Sequence, residues 1–193
     1  MYRFFDILSS GLLGEMNIML NLQDFIREIP DFPIKGILFR DITTLIENGA
    51  AYHQAIEQLA AQVSDLGAID VIAAPEARGF IFAAPIAFAL KLPLIPIRKP
   101  GKLPYKTVTF TYELEYGSDS LQMHADTLTP GTRVLLVDDL LATGGTIKAC
   151  KDLIEQEGGR VTGIAFLIEL AGLKGRDKIN DVPVCSLISY PGA

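Results

Sequence analysis

The stretch Val134-Leu135-Leu136-Val137-Asp138-Asp139-Leu140-Leu141-Ala142-Thr143-Gly144-Gly145-Thr146 constrains this chain more than any other. Its apolar run is short and rich in valine and leucine. Val134 to Val137 therefore predicts a strand buried on both faces, as in the interior of a parallel sheet. Ala142 to Thr146 predicts a tight loop that opens a helix. Charge is costly to bury without a partner, so two adjacent aspartates where such a strand ends need a use.

The rest of the chain repeats the theme of strand and helix in alternation. Leu22, Phe25, Ile26 and Ile29 recur with Ile18 at helical spacing, and Pro30 and Pro33 end that pattern, predicting a first helix. Gly36 reads as a hinge in the mixed segment that carries Phe39-Arg40-Asp41. Tyr52, Ile56, Leu59, Val63 and Leu66 mark an amphipathic helix stopped at Gly67. Residues 69–75 predict a strand, 77–90 a helix and 92–98 another strand. Between Lys99 and Asp126 apolar and polar residues alternate, predicting an antiparallel hairpin with its turn at Gly117-Ser118-Asp119. Ile147, Cys150, Leu153 and Ile154 stripe a helix closed by Gly158-Gly159, and two strands follow. The expected fold class is α/β, with a mostly parallel sheet flanked by helices. No repeat, linker or low-complexity tract divides it.

At 193 residues the chain has room for one substantial core. Its formal charge of −6 argues against a nucleic-acid surface as its main business, although local clusters of basic residues could still bind a phosphorylated small molecule. Cys150 and Cys185 fall in helix-like and strand-like stretches, read as inert core residues that suit a reducing cytoplasm. The long apolar stretch 79–97 is interrupted by Pro85, Lys91, Pro93 and Pro96, which fits a core helix and a buried strand better than a membrane span. Residues 1–15 read as an N-terminal extension preceding a single domain over 16–193.

The loop 142–146 has the chemistry of a phosphate cradle. A glycine pair at a helix mouth lets backbone N–H groups close on an anion, and the Thr143 and Thr146 hydroxyls can donate. Ionised Asp138 and Asp139 would repel phosphate but accept from sugar hydroxyls. Phosphate on one side and hydroxyls on the other describe a ribose 5-phosphate. The alternative is an acidic pair that only caps a strand and helix. No Gly-Lys-Ser/Thr follows, so this is not a Walker A loop. Glu76 and Arg78 lie at a second strand-to-helix turn, read either as an anion site or as a surface ion pair. Arg98, Lys99 and Lys102 gather basic charge around Pro100-Gly101, read either as ligand contacts or as a solvated loop. Glu113 and Glu115 share a face if their segment is a strand. Phe39 reads on its own as core. His53 and His124 carry no assignment.

Taken with "FRDIT" (39–43), "EARGF" (76–80), "RKPGKLP" (98–104) and "LEYG" (114–117), the 134–146 stretch resembles the motif set of the type I phosphoribosyltransferases, in their adenine-using branch. The likeness runs from about Met19 to Tyr190. One departure is Phe32-Pro33-Ile34-Lys35-Gly36-Ile37, where the family pattern reads FPKPGI. The resemblance implies a type I phosphoribosyltransferase fold with a flexible hairpin flap and a small N-terminal hood. It implies transfer of 5-phosphoribosyl from phosphoribosyl pyrophosphate to N9 of adenine, giving AMP and pyrophosphate in purine salvage. By the same resemblance, Asp138 and Asp139 bind the ribose, and Ala142, Thr143, Gly144, Gly145 and Thr146 bind the 5-phosphate. Ala77, Arg78, Lys99 and Lys102 face the pyrophosphate. Phe39 stacks on adenine while main-chain groups of Leu38 and Arg40 read its edge, and Glu115 is the catalytic group exchanging a proton at N7. Mg²⁺ is implied, bound mainly through the substrate, as is a cytoplasmic homodimer with neither nucleic acid nor membrane as partner. Two rivals share the phosphate loop: a regulatory protein that binds the metabolite without transfer, and a transferase for a 6-oxo base.

Overall fold

A computed structural model describes residues 19–113 and 117–192. The extension expected at 1–15 and Glu115 lie outside the described residues. Five parallel strands form the central sheet: β3 (Val71–Pro75), β4 (Leu94–Ile97), β7 (Arg133–Leu141), β8 (Arg160–Leu170) and β9 (Val184–Tyr190). Their order is β4-β3-β7-β8-β9. Two antiparallel ribbons flank it, β1 (Arg27–Pro30) with β2 (Leu38–Asp41), and β5 (Thr107–Glu113) with β6 (Ser118–His124). The helices are α1 (Thr43–Glu47), α2 (Gly49–Ser64), α3 (Gly79–Leu90) and α4 (Gly145–Gln156).

Period-two alternation divides the sheet's apolar residues between two cores. Ile72, Ala74, Leu135, Val137, Ala165 and Leu167 join α2 and α3 on one face. Val71, Ala73, Val134, Leu136, Ile164 and Phe166 join α4 and the β5–β6 ribbon on the other. Both faces of the central strands are therefore dry, as their continuous apolar runs predict. From β3 the chain passes through α3 to β4 on one side. It returns to β7 on the other side of β3, then continues outward through α4 to β8. The order reverses between β3 and β7, so their carboxyl ends open a crevice there, the usual ligand position in open α/β sheets.

Three expectations need correction. The helix predicted across 18–29 is a single 3-10 turn, Leu22–Phe25, followed by β1. Leu22 and Ile26 still reach the core, but Ile29 pairs with Phe39. A helix this short has little stability of its own, so a partner strand at 38–41 captures the segment. The turn predicted at Gly117-Ser118-Asp119 does not extend past Gly117. Ser118 and Asp119 already belong to β6, paired with Glu113 and Tyr112. The strand over 134–137 does not stop before the acidic pair. It runs to Leu141 because β8 is long enough to pair with it there, Asp138 opposite Phe166 and Leu141 opposite Glu169.

Pro85 sits inside α3 and cannot donate to the carbonyl of Ile81, four residues back. The Tyr52 hydroxyl from α2 donates to that oxygen instead, at 2.6 Å. Side chain and proline are thus complementary. Tyr52→Phe is expected to cost ~1 kcal/mol of unfolding free energy in urea. In a Pro85→Ala background, residue 85 supplies the N–H and most of that cost disappears. An equal loss in both backgrounds contradicts the pairing.

Candidate active site

The crevice between β3 and β7 is a cleft of about 290 Å³ lined by residues 75–78 and 138–147. Two turns and one acidic pair meet in it. β7 delivers Asp138 and Asp139; the loop to α4 delivers Ala142 to Thr146; the turn from β3 to α3 delivers Glu76 to Arg78. Thr143 and Thr146 are exposed while Gly144 is buried, with φ +77°. The first-turn N–H groups of α4 have no partner within the helix. The loop therefore presents donors outward from a fixed base.

Asp139 is 4% exposed and Asp138 half-buried. Asp138 Oδ1 accepts from the Asp139 N–H at 2.9 Å. Gly79, at the start of α3, packs so closely that a Cβ there would stand 2.9 Å from Asp138 Oδ1. The positive end of α3 is thereby brought to the pair. Arg78 Nε lies 2.9 Å from Asp139 Oδ2, near enough for charge attraction but out of line for a hydrogen bond, so that buried oxygen accepts none. Burial is the main cause that pushes both carboxyls above the ordinary range. The Asp139 charge raises Asp138 further, and Arg78 pulls against the rise.

Glu76 and Arg78 do not form the ion pair that their spacing allowed. Glu76 accepts from Arg98 Nη2 at 3.0 Å and from the Lys99 N–H, clamping the basic loop to the β3–α3 turn. Burial acts to raise the Glu76 carboxyl, but those two donors bring it below its usual value. Arg98 is thus a structural member of the basic trio. Lys99 pairs with Asp119 on β6, Lys102 is exposed, and Ala77 and Arg78 face the cleft from the exposed side of the turn. The Glu76–Ala77 peptide is cis. Tyr112 of β5 donates to Asp119 at 3.1 Å, within the influence of Thr146 at the mouth of α4. Nothing in the sequence pattern singled out Tyr112 or Asp119.

Phe39 is not core. It is half-buried on β2, its ring edge-on to Phe32 at 5.1 Å, with the Arg78 guanidinium 5.8 Å from its centroid. Leu38 is exposed beside it. Arg40 lies 3.9 Å over the Tyr190 ring and pairs with Glu28, so its side chain is committed elsewhere and its main chain is what remains for a ligand. The Asp31 carboxylate accepts from the Gly36 N–H at 2.7 Å and Phe32 N–H donates to Ile37. These bonds close the 31–37 loop without the family's second proline.

Residues 43–190 match the model of the phosphoribosyl transferase domain. An adenine phosphoribosyltransferase of Clostridium perfringens is 56% identical over 171 residues, 89% of this chain and 99% of that one. The chain belongs to the adenine phosphoribosyltransferase family. The crystal structure of the family member from Thermoanaerobacter pseudethanolicus is 51% identical, with a TM-score of 0.84 over 88% of this chain and 98% of that one. One from Saccharomyces cerevisiae, complexed with an imino-altritol bisphosphate and adenine, is 36% identical, with a TM-score of 0.81 over 86% of this chain and 95% of that one. Both carry the type I phosphoribosyltransferase fold.

Among the described residues no group of three or more His, Cys, Asp or Glu side chains comes together to hold a metal. Asp138 and Asp139, with one Asp139 oxygen unbonded, are hard oxygen donors of the kind that suits Mg²⁺ or its water shell. No helix among the described residues is long and apolar enough to cross a membrane. Both cysteines are free thiols, Cys150 buried and Cys185 half-buried, and burial raises both.

A carboxyl raised in the folded state costs stability when ionised. That cost begins near the unfolded value of about 4 and is complete above the folded one. Asp138→Asn keeps an oxygen for the Asp139 N–H and removes the charge. It is expected to raise the melting temperature at pH 7.5 by ~2–4 °C for each kcal/mol recovered. The gain should vanish as pH falls towards 4, where Asp138 of the unaltered chain is also neutral. Affinity for phosphoribosyl pyrophosphate should fall in the same variant. Calorimetry across pH checks the sign; a variant less stable at pH 7.5 than the parent contradicts it.

Proposed function

We propose that this chain transfers the 5-phosphoribosyl group of phosphoribosyl pyrophosphate to N9 of adenine, releasing pyrophosphate and forming AMP. The observation that carries this reading is the single cleft shared by the acidic pair and the 142–146 loop, with Arg78 bridging from Asp139 towards the Phe39 ring. A nucleotide has the same order of parts: phosphate, ribose, base.

Each residue then acts by its own chemistry. The 142–146 backbone and the Thr143 and Thr146 hydroxyls hold the 5-phosphate. Asp138 and Asp139, acceptors when ionised, take the ribose hydroxyls. Ala77, Arg78, Lys99 and Lys102 bind the pyrophosphate, Lys99 leaving Asp119 to do so. Phe39 stacks on the base. β2 has one partner strand among the described residues, so half its main-chain groups face away from that ladder. The carbonyls and N–H groups of Leu38 and Arg40 read adenine there, accepting from the exocyclic amine and donating to N1. A 6-oxo purine inverts both demands and leaves buried groups unpaired, which penalises it strongly.

The bond from C1 to pyrophosphate breaks ahead of N9 attack, so positive charge develops on the ribose and stabilisation is mainly electrostatic. Adenine attacks as its N7–H tautomer through the N9 lone pair, and the Glu115 carboxylate takes the N7 proton as the N9–C1 bond forms. Asp138 and Asp139 are the carboxylates that would serve an Mg²⁺ ion arriving with the substrate, which would supply charge neutralisation at the departing pyrophosphate. The 98–104 loop and the β5–β6 ribbon close over the site and exclude water. Residues 16–193 act as one domain, and the protein works in the cytoplasm as a homodimer. The exposed apolar face of α3, with Phe88 75% exposed, is the surface we assign to the second copy.

Turnover with adenine, hypoxanthine and guanine tests the base pocket. Adenine is expected to be preferred by ~10⁴-fold or more in kcat/KM. Phe39→Ala should raise the KM for adenine roughly tenfold, a loss of ~1.4 kcal/mol, and leave that for phosphoribosyl pyrophosphate unchanged. Comparable turnover of hypoxanthine would overturn the assignment of adenine.

A further inference from the structure

The segment that follows β8 presses directly on the phosphate loop. Residues 171–178 form two 3-10 turns, Ala171–Leu173 and Gly175–Lys178. A Cβ on Gly144 would stand 2.5 Å from the Gly175 carbonyl oxygen. A Cβ on Gly175 would meet the Ala142 carbonyl oxygen still more closely, and Leu141 at 2.8 Å. The two backbones are therefore packed face to face through reciprocal glycines, and Gly175 is the outer wall against which Ala142 to Gly145 is shaped.

The next residue fixes that wall to the sheet. Arg176 Nε donates to Glu169 Oε1 at 2.7 Å and Nη2 to Glu169 Oε2 at 2.6 Å, a two-pronged pair. Nη1 donates to the Val184 carbonyl at 3.0 Å, and Ser186 Oγ donates to Glu169 Oε2 at 2.9 Å. Glu169 is 8% exposed, on β8 opposite Leu141 of β7. The Arg176 hydrogen bonds hold its carboxyl below the usual range, so the pair stays ionised through neutral pH. Strands β8 and β9 thus grip Arg176, and Arg176 carries Gly175. All of these charges are satisfied within the fork, so Arg176 is not spent on substrate.

We propose that Glu169 and Arg176 are positioning residues for the 5-phosphate: the fork sets the shape of the 142–146 loop through the Gly175 main chain. The inference rests on the phosphate assignment made above. It predicts an effect confined to the phosphoribosyl end of the site. Arg176→Ala should raise the KM for phosphoribosyl pyrophosphate and the dissociation constant of ribose 5-phosphate by roughly 10- to 100-fold, as expected for a misplaced binding loop. The KM for adenine and the saturated kcat should stay within about threefold of the parent, and Arg176→Lys, which keeps the charge but loses the fork, should fall between.

Titration calorimetry with ribose 5-phosphate, alongside steady-state kinetics, makes the test. A Glu169→Leu/Arg176→Met double variant removes the fork without leaving an unpaired buried charge, and it serves if Arg176→Ala does not fold. Unchanged ribose 5-phosphate affinity in a folded variant overturns the positioning role while leaving the site assignment intact. Equal losses for adenine and ribose 5-phosphate also overturn it, since they mark a general structural defect. Failure of the unaltered protein to bind ribose 5-phosphate would instead sink the phosphate assignment, and this inference with it.

Discussion

A buried carboxylate, Asp139, with half-buried Asp138 beside it and a single arginine for a counter-charge, is the constraint that the surrounding arrangement answers. Asp138 and Asp139 lie within a strand whose preceding residues are buried on both faces. They cannot retreat to solvent without breaking the pairing with β8. The fold answers with the start of α3 against Asp138, Arg78 beside Asp139 and the open mouth of the switch point. A pair held this way gains most when a ligand brings hydroxyl donors or a hydrated cation. Local stability is given up at the point where binding needs it.

The same economy runs through the charged residues nearby. Glu76 clamps Arg98 and the Lys99 main chain, so the basic loop is tethered at its root while Lys102 stays exposed. Lys99 rests on Asp119 of the ribbon, and Tyr112 donates to the same aspartate. Basic loop and ribbon are therefore linked by contacts that, under the proposed function, a bound pyrophosphate would compete with.

Much of this was legible in the sequence. The buried strands β3, β7 and β8 announce themselves as apolar runs, α2 and α4 as stripes at helical spacing, and the tight loop before α4 as glycines at a helix mouth. The segment 18–29 was misleading because Leu22, Phe25 and Ile26 fit a helical stripe, whereas the decisive interaction is with a strand ten residues downstream. The reach of β7 past Asp138 depends on the length of β8, which no local pattern encodes. Phe39 reads as core because an aromatic between apolar neighbours usually is; its half-exposure beside Arg78 arises only when a ribbon and a turn from distant parts of the chain meet. Gly175 and Arg176 gave no signal at all, since their significance is a backbone contact with a loop some thirty residues away.

The direction in which a nucleotide lies across the switch point decides the roles of the residues around it. A crystal structure of the protein with AMP tests it most directly. The phosphate is expected within hydrogen-bond reach of the Thr143, Gly144, Gly145 and Thr146 main chain, the ribose hydroxyls on Asp138 and Asp139, and the base against Phe39. AMP bound in the reverse sense, with its base in the glycine loop, or bound outside this cleft, would overturn these assignments.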